Sequence, residues 1–297
     1  MARTWLRGLS IAGIQLGIEV PDTVAWQWPK GPIAGFACLP RAPEVHVGVR
    51  VGDPDAAGEL GGERYSVGSA VFEVARRGND WLLAVSRSGR RELLALFDAG
   101  FRVGEIVMST ASAASGRFPL ASPLDEWIVL NRAVARGGLC LIGAVRGHDA
   151  RSTRVELGPA PASGPATALG TSGLFGRYTV LLREDEAGLR VFRTPWTRSW
   201  PAGFVDGVGV QEIALAEPSP LPFREVLDPA EAADGIVAHA VVPFCDHDLV
   251  EGVLRNARRV ASRVRTVRVG RPVDGALSTD AGHAPLPHGF APPRAVI

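Results

Sequence analysis

SPLDEWIVLNRAVARGGLCLIGAV, residues 122–145, predicts a capped helix that leads directly into a buried strand. Ser122-Pro123-Leu124-Asp125 places a hydroxyl at the N-cap, a proline at the first helical position and a carboxylate in the first turn. We expect the helix to run from about Pro123 to Arg136, where two glycines end it. The apolar run Leu139–Val145 is typical of a strand covered on both faces. This stretch favours an α/β or mixed α+β fold.

Strand patterns dominate the region before this stretch. Val45–Val51 alternates with period two, and the apolar runs Ser69–Ala75 and Trp81–Ser86 flank a turn at Gly78-Asn79-Asp80. Together they predict an antiparallel meander. Residues 1–45 carry tryptophans among glycines and prolines, and we expect them to pack irregularly with one short strand.

Two more helices and a hairpin are predicted after the buried strand. Asp228-Pro229-Ala230-Glu231 combines a cap, a proline and a capping-box acid, which predicts a short helix to about His239. Asp248-Leu249-Val250-Glu251 opens a longer amphipathic helix, and residues 185–188 form a hairpin turn. The main domain is expected over residues 46–269, and the segment 270–297, rich in proline and glycine, as a loosely held tail.

Composition excludes several classes of protein. The chain has 297 residues, 46% hydrophobic and 21% charged, which excludes disorder or a coiled coil as a description of the whole. A net charge of +1 provides no general attraction to nucleic acid or anionic lipid. The three cysteines are widely separated, with no C-x-x-C pair, so we expect a reducing cytoplasm. No segment of the sequence is long enough to span a bilayer.

The order of these elements resembles the HPr kinase/phosphorylase-like family, whose nucleotide-binding core is related to that of phosphoenolpyruvate carboxykinase. The matching motifs lie between Tyr65 and Val269, and no single one of them is specific. They are Phe118-Pro119-Leu120, Ser122-Pro123-Leu124-Asp125-Glu126, Arg136-Gly137-Gly138-Leu139-Cys140-Leu141 and Leu189-Arg190-Val191-Phe192-Arg193-Thr194-Pro195-Trp196. The resemblance implies antiparallel N-terminal strands packed with a mixed-sheet core and a few helices.

The same resemblance implies a nucleotide site, and this sequence departs from it. Ile142 stands where such proteins carry a histidine on the strand. The remnant of the phosphate loop runs from Gly158 to Thr167, with Pro165 in place of the lysine and Ala166 in place of the metal-binding hydroxyl. Prolines 159, 161 and 165 remove backbone donors from this loop, and no acidic residue occurs from Gly158 to Leu182. The remaining candidates for cofactor binding are Gly158, Gly164, Thr167 and Arg177.

These departures predict a pseudoenzyme with no catalytic residues, no metal site and no cofactor, which acts by binding a protein or peptide partner or as a subunit of a larger assembly. The alternative is a kinase with a rebuilt, lysine-free site. It would use Arg177 or Arg154 for phosphate and Asp206 or Glu212 for metal. The chain's only lysine is Lys30, so any mechanism that needs this side chain depends on it.

Other clusters have both a functional and a structural interpretation. Cys245, His247 and Asp248 could serve a metal-dependent hydrolase, although Asp248 also suits a helix cap. Three further groups are more typical of loops or of a strand bend: His148-Asp149 with Ser152, Thr171-Ser172-Gly173, and Gly207-Val208-Gly209-Val210-Gln211. Trp26-Gln27-Trp28 and Trp196–Trp200 lie near Lys30, Arg193 and Arg198, and they fit either core packing or a recognition surface.

Overall fold

The protein, seen in a computed structural model, combines two mixed sheets with a few helices. The structure describes residues 4–22, 27–28, 31–67, 69–120, 122–146, 153–158, 179–196, 206–242 and 246–272. Buried side chains of both sheets belong to one continuous hydrophobic core. The α/β class predicted from the sequence is confirmed at this level.

The first sheet contains nine strands in the described part of the chain, in the order β3-β1-β2-β4-β9-β8-β7-β6-β5. Two of its pairings, β2 with β4 and β4 with β9, are parallel, and the others are antiparallel. The strands are β1 Thr4–Ile11, β2 Ile14–Pro21, β3 Ala37–Cys38, β4 Val45–Val51, β5 Glu63–Val67, β6 Ala70–Arg77, β7 Asp80–Arg87, β8 Arg90–Phe97 and β9 Val103–Met108.

The structure corrects two expectations for this half. Residues 4–21 are not irregular, because β1 and β2 form a hairpin of two eight-residue strands. Ile14, Leu16 and Ile18 alternate with period two and are fully buried. The meander is also smaller than expected: β5 to β9 form it, whereas β4 lies between two parallel neighbours. The predicted turn after Arg77 is confirmed.

The second sheet contains eight strands within the described ranges, in the order β14-β13-β12-β10-β11-β15-β17-β16. Strands β11, β15 and β17 run parallel to one another, and the remaining neighbours are antiparallel. The strands are β10 Leu139–Arg146, β11 Arg154–Leu157, β12 Thr179–Asp185, β13 Gly188–Phe192, β14 Val208–Gly209, β15 Glu212–Ser219, β16 Phe223–Val226 and β17 Arg265–Pro272. The buried strand predicted at Leu139 and the hairpin between β12 and β13 are confirmed.

Four α-helices occur in the described residues: α1 Thr110–Ala114, α2 Leu124–Ala135, α3 Pro229–Val237 and α4 His247–Ala261. Two short 3₁₀ segments cover Pro32–Phe36 and Pro54–Ala57. Helix α2 contacts β2 of the first sheet and β10 of the second, and eleven of its twelve residues are buried. It therefore connects the two halves of the core.

The capping predictions have different outcomes. Asp228 caps α3, since its carboxylate accepts from the backbone N–H groups of Ala230 and Glu231. Helix α4 is capped by Asp246 and not by Asp248, which lies within its first turn. Ser122 does not cap α2 either, because its hydroxyl donates to the carboxylate of Glu126. Strand β17 also includes residues 270–272, so the predicted tail is ordered at its start.

Candidate functional site

The candidate nucleotide site begins at the carboxyl end of β11. This strand lies between β10 and β15, and it is parallel to β15. Gly158 follows it directly with a φ of +146°, and a Cβ at this position would lie 2.5 Å from the carbonyl oxygen of Ala216. The chain here needs glycine because its backbone packs directly against β15. Gly164, Thr167 and Arg177, together with Pro165 and Ala166, lie outside the described residues.

Arg154, proposed as a phosphate ligand in the kinase alternative, lies between two carboxylates. Its guanidinium lies 3.9 Å from Glu156 Oε2 and 3.9 Å from Glu212 Oε1. Glu156 is buried, and it also pairs with Arg146 at 3.5 Å and with Arg271 at 2.5 Å. These pairs form a network of opposite charges on one face of the second sheet.

The two carboxylates proposed for a rebuilt metal site are held by other groups. Glu212 pairs with Arg224 in addition to Arg154. Asp206 accepts a 2.7 Å hydrogen bond from the backbone N–H of Arg193 and lies 3.9 Å from the same residue's guanidinium. Each acid is therefore paired with an arginine. A cation that bound to either of them would first have to displace its arginine.

Ile142, the residue in the position of the family's strand histidine, lies on β10 with 43% of its surface exposed. Its backbone N–H donates to the carbonyl of His239 at 2.8 Å. His239 is half-buried just beyond α3, and its Nδ1 lies 2.8 Å from the carbonyl of Gly235. Sequence reasoning did not identify His239 as a candidate residue for the site.

The candidate metal ligands at the start of α4 do not share one environment. Asp246 is buried, where it accepts from the N–H of Leu249 and lies 3.6 Å from Arg76. His247 and Asp248 are exposed, and Cys245 lies outside the described residues. Among the residues that the structure describes, no group of three potential ligands is arranged to hold a metal ion.

Several other sequence candidates fall outside the described ranges. They are His148-Asp149, Ser152, Thr171-Ser172-Gly173, Trp26, Lys30, Arg198 and Trp200. The glycine motif after residue 206 is described, and it forms a bend and the two-residue strand β14, with Gly207 at a φ of +74°. This agrees with the strand-bend interpretation.

The two described tryptophans of the aromatic clusters pack inward. Trp196 is buried, and its indole N–H donates to Asp125 Oδ2 at 2.9 Å. Trp28 meets the ring of Phe118 edge-on, with 5.4 Å between the ring centroids. Core packing therefore accounts for both rings.

A buried acidic pair at the start of α2 is a polar feature that sequence reasoning underestimated. Asp125 and Glu126 are fully buried. Burial raises the pKa of the Asp125 carboxyl from 3.8 to about 7, against the lowering effect of the hydrogen bond from Trp196. Burial, and then the charge of Glu126, also raise the pKa of the Cys140 thiol. A signal was present, since the apolar residues of α2 occupy all its faces and leave no exposed face for its acids.

A second polar site, which we call the arginine pocket, lies at the end of the first sheet where β7 turns into β8. It is a cavity of about 610 Å³, lined by Arg87, Arg90, Arg91 and Arg117, by the acids Asp53, Asp55 and Glu92, and by hydroxyl groups of the segment around α1. All of its lining residues lie in the described ranges. No local pattern indicated this pocket, because only the fold brings Arg117 and the acids Asp53 and Asp55 beside the arginines of the β7–β8 turn.

Another cavity, of about 570 Å³, lies between the end of α2 and α4. Two of its arginines already have partners in the protein: Arg136 pairs with Glu44 at 2.8 Å, and Arg259 donates to the Gly137 carbonyl at 2.7 Å. The geometry gives these two side chains a structural role at the end of α2.

Comparisons with known proteins do not assign this chain to a family. The sequence matches no protein-family model and none of the curated proteins. In the described part of the chain, no helix is both long and apolar enough to cross a membrane.

Proposed function

We propose that this chain is a non-catalytic, HPr kinase-like pseudoenzyme of a bacterial pathway that works as a protein- or peptide-binding subunit. The order of elements is compatible with the resemblance: α2, two glycines, β10 and the β12–β13 hairpin occur in the implied order, and α3 and α4 come later, after three further strands. A fold alone does not assign an activity, so the proposal depends on the state of the site.

The observation that carries the proposal is the pairing, within the protein, of the charged groups that a rebuilt site would need. Arg154 lies between Glu156 and Glu212, while Glu212 and Asp206 are each paired with a further arginine. A phosphate would have to compete with two carboxylates for Arg154, and a metal would have to compete with arginines for both acids. Breaking such partly buried pairs costs free energy that ligand binding would need to supply.

The sequence changes add to this effect. Each lost charge-assisted hydrogen bond costs about 1.5–3 kcal/mol, and each ~1.4 kcal/mol changes a rate tenfold. Loss of the lysine, the hydroxyl and the carboxylates together should therefore remove phosphoryl transfer by the family's route. The resemblance then leaves binding as the function that the chain retains.

Strand β16 offers a surface for such binding. Within the described part of the chain it is the edge strand of the second sheet, and all four of its residues are exposed. Leu227 N–H donates to the Thr266 carbonyl, which fixes the register and leaves the backbone groups of Arg224 and Val226 pointing away from β17. Leu221 and Val226 are 72% and 58% exposed beside this edge. An extended segment of a partner chain could add to it as a further strand.

A different chain fits this edge better than a second copy does. Antiparallel pairing of two β16 strands through the outward groups of Arg224 and Val226 would place Glu225 opposite Glu225 of the copy. Like charges directly opposite each other destabilise a strand pair. Glu225 already pairs with Arg268 at 3.0 Å, so we propose a partner segment with apolar side chains toward Val226 and no acidic side chain opposite Glu225.

Thermal unfolding with Mg²⁺-ATP tests the loss of nucleotide chemistry. A ligand at one hundred times its Kd adds about 2.7 kcal/mol of stability, which raises Tm by several degrees. We expect no such rise at millimolar Mg²⁺-ATP. A rise of several degrees that Arg177→Ala abolishes, and that the exposed control Arg77→Ala leaves intact, would overturn the pseudoenzyme proposal.

Selection from a displayed library of random peptides tests the binding edge. Val226→Pro removes an outward N–H while it leaves the β16–β17 hydrogen bonds in place, and Val226→Thr keeps that N–H as the control. We expect peptides selected on the natural chain to lose at least about tenfold in affinity with the proline variant and little with the threonine variant. Failure to select any peptide, or equal affinities for both variants, refutes β16 as the docking edge.

A further inference from the structure

The arginine pocket contains more positive than negative charge at its base. Arg87 Nε lies 3.1 Å from Glu92 Oε2, and Arg117 pairs with the same carboxylate oxygen. Burial and then the nearby Arg87 charge lower the pKa of Arg117. Two guanidinium groups therefore share one carboxylate, and their mutual repulsion is only partly offset.

The other two arginines of the pocket differ in their roles. Arg91 is largely buried and holds a neighbouring loop, because it donates to the carbonyls of Pro54 at 2.9 Å and Gly58 at 3.0 Å. Arg90 is exposed at the β7–β8 turn, and within the described ranges no carboxylate pairs with it. Arg90 is thus an additional positive charge that the fold leaves available.

The hydroxyl groups on the opposite wall of the pocket also differ in whether they already have a partner. Ser109 Oγ accepts from the Ser112 N–H at 3.2 Å, and the Ser115 hydroxyl donates to the Ser112 carbonyl at 2.7 Å, so both stabilise the turn around α1. Thr110 is exposed on the pocket wall, where its hydroxyl can act as a donor. The pocket thus combines arginines that are not fully neutralised with a hydroxyl donor.

From this arrangement we infer that the arginine pocket binds a multiply charged oxyanion of the phosphate or polycarboxylate kind. Arg87, Arg90 and Arg117 supply the charge, and a guanidinium presents paired N–H donors that match the oxygens of such a group. A volume of about 610 Å³ admits a small molecule. Four arginines line the pocket against three carboxylates, and a bound oxyanion would supply the negative charge that Asp53, Asp55 and Glu92 together leave unbalanced.

This site is separate from the candidate nucleotide site. It is built from the segment after β4, from β7 and β8 of the first sheet and from the segment around α1, whereas the nucleotide remnant follows β11 in the second sheet. The inference goes beyond the proposed function and does not depend on it, because neither the phosphate loop nor the β16 edge contributes a residue to the pocket.

Isothermal titration calorimetry at low ionic strength tests the inference, with inorganic phosphate, pyrophosphate and citrate as probes. We expect at least one of them to bind at a single site with a Kd below about 1 mM. Arg117→Gln and Arg90→Gln should each weaken binding at least about fivefold. Because Arg90 lies at an exposed turn, its variant keeps the fold even if removal of Arg117 loosens the pocket.

Arg77→Gln is the matched control, since it removes the same charge from an exposed position at the end of β6, which pairs with Asp80 at the start of β7, far from the β7–β8 turn. It should leave the Kd within about twofold, because salt screens charges at that distance. A phosphoserine peptide serves as a further probe: tighter binding than inorganic phosphate assigns the group to a modified protein, and weaker binding assigns it to a free metabolite. Absence of saturable binding for every probe, or equal weakening by Arg77→Gln and Arg90→Gln, overturns the proposal.

Discussion

Replacement of Asp125 by asparagine should change how the protein's stability depends on pH. Asp125 lies fully buried at the start of α2, with its Oδ2 accepting from the Trp196 indole. Its Oδ1 has no hydrogen-bond partner among the described residues. A carboxylate in this position loses most of its hydration and gains only one side-chain donor, so the neutral acid is favoured.

The size of the effect follows from the pKa. A rise from 3.8 to about 7 is a shift of about three units, and each unit is worth 1.36 kcal/mol, so the total is about 4 kcal/mol. Between these two values the folded protein keeps the proton that the unfolded chain has released. The contribution of Asp125 to the free energy of unfolding is therefore complete below pH 3.8 and is lost as the pH rises through about 7.

Urea denaturation of the natural chain and of Asp125→Asn from about pH 4 to pH 8 measures this dependence. Asparagine cannot ionise, and the contributions of the titratable groups that do not interact with residue 125 largely cancel in the difference between the two proteins. We expect the variant to gain about 4 kcal/mol relative to the natural chain over that range. Asp80→Asn, at an exposed position, controls for the removal of one carboxylate.

A difference between the two proteins that stays constant with pH would refute this reasoning. It would mean that Asp125 ionises equally in the folded and unfolded states, and hence that its carboxylate is hydrated or paired with a cation in the folded protein. Trp196→Phe provides an independent check. Loss of the indole donor removes the main interaction that favours the charged form, so the stability loss should extend to higher pH.

Two further substitutions test the packing around the site. Gly158→Ala should destabilise the fold by more than Gly78→Ala in urea denaturation. Both glycines have a positive φ, which alone costs about 1–3 kcal/mol, but only at Gly158 does the new Cβ meet a carbonyl oxygen. Equal losses of stability in the two variants would contradict this close approach. Asn256→Ala should lower the free energy of unfolding by about 1–3 kcal/mol, since the Asn256 amide donates to the Val134 and Gly138 carbonyls at the end of α2. Arg255→Ala, on the exposed face of α4, should change the stability little. An equal loss in both variants would contradict the capping role of Asn256.

Local patterns predicted those elements in which neighbouring residues decide the structure. The cap of α3 depends on four consecutive residues, and the hairpin between β12 and β13 depends on a short turn. Prediction of the cap of α2 failed because Ser122 has an alternative partner. Its hydroxyl donates to the carboxylate of Glu126. That carboxylate is buried because α2 packs against both sheets, and a buried carboxylate without a hydrogen-bond donor would destabilise the fold.

The sequence by itself determined the α/β class, the buried strand after Gly137-Gly138 and the absence of a lysine and of acids around the phosphate-loop remnant. Each of these depends on composition or on residues adjacent in the chain. Only the tertiary structure decided that β4 pairs in parallel, that Arg154 lies between two carboxylates, and that Arg87 and Arg117 share Glu92. Such features depend on which distant segments pack together, and packing is set by the summed burial of many side chains, which no local pattern records.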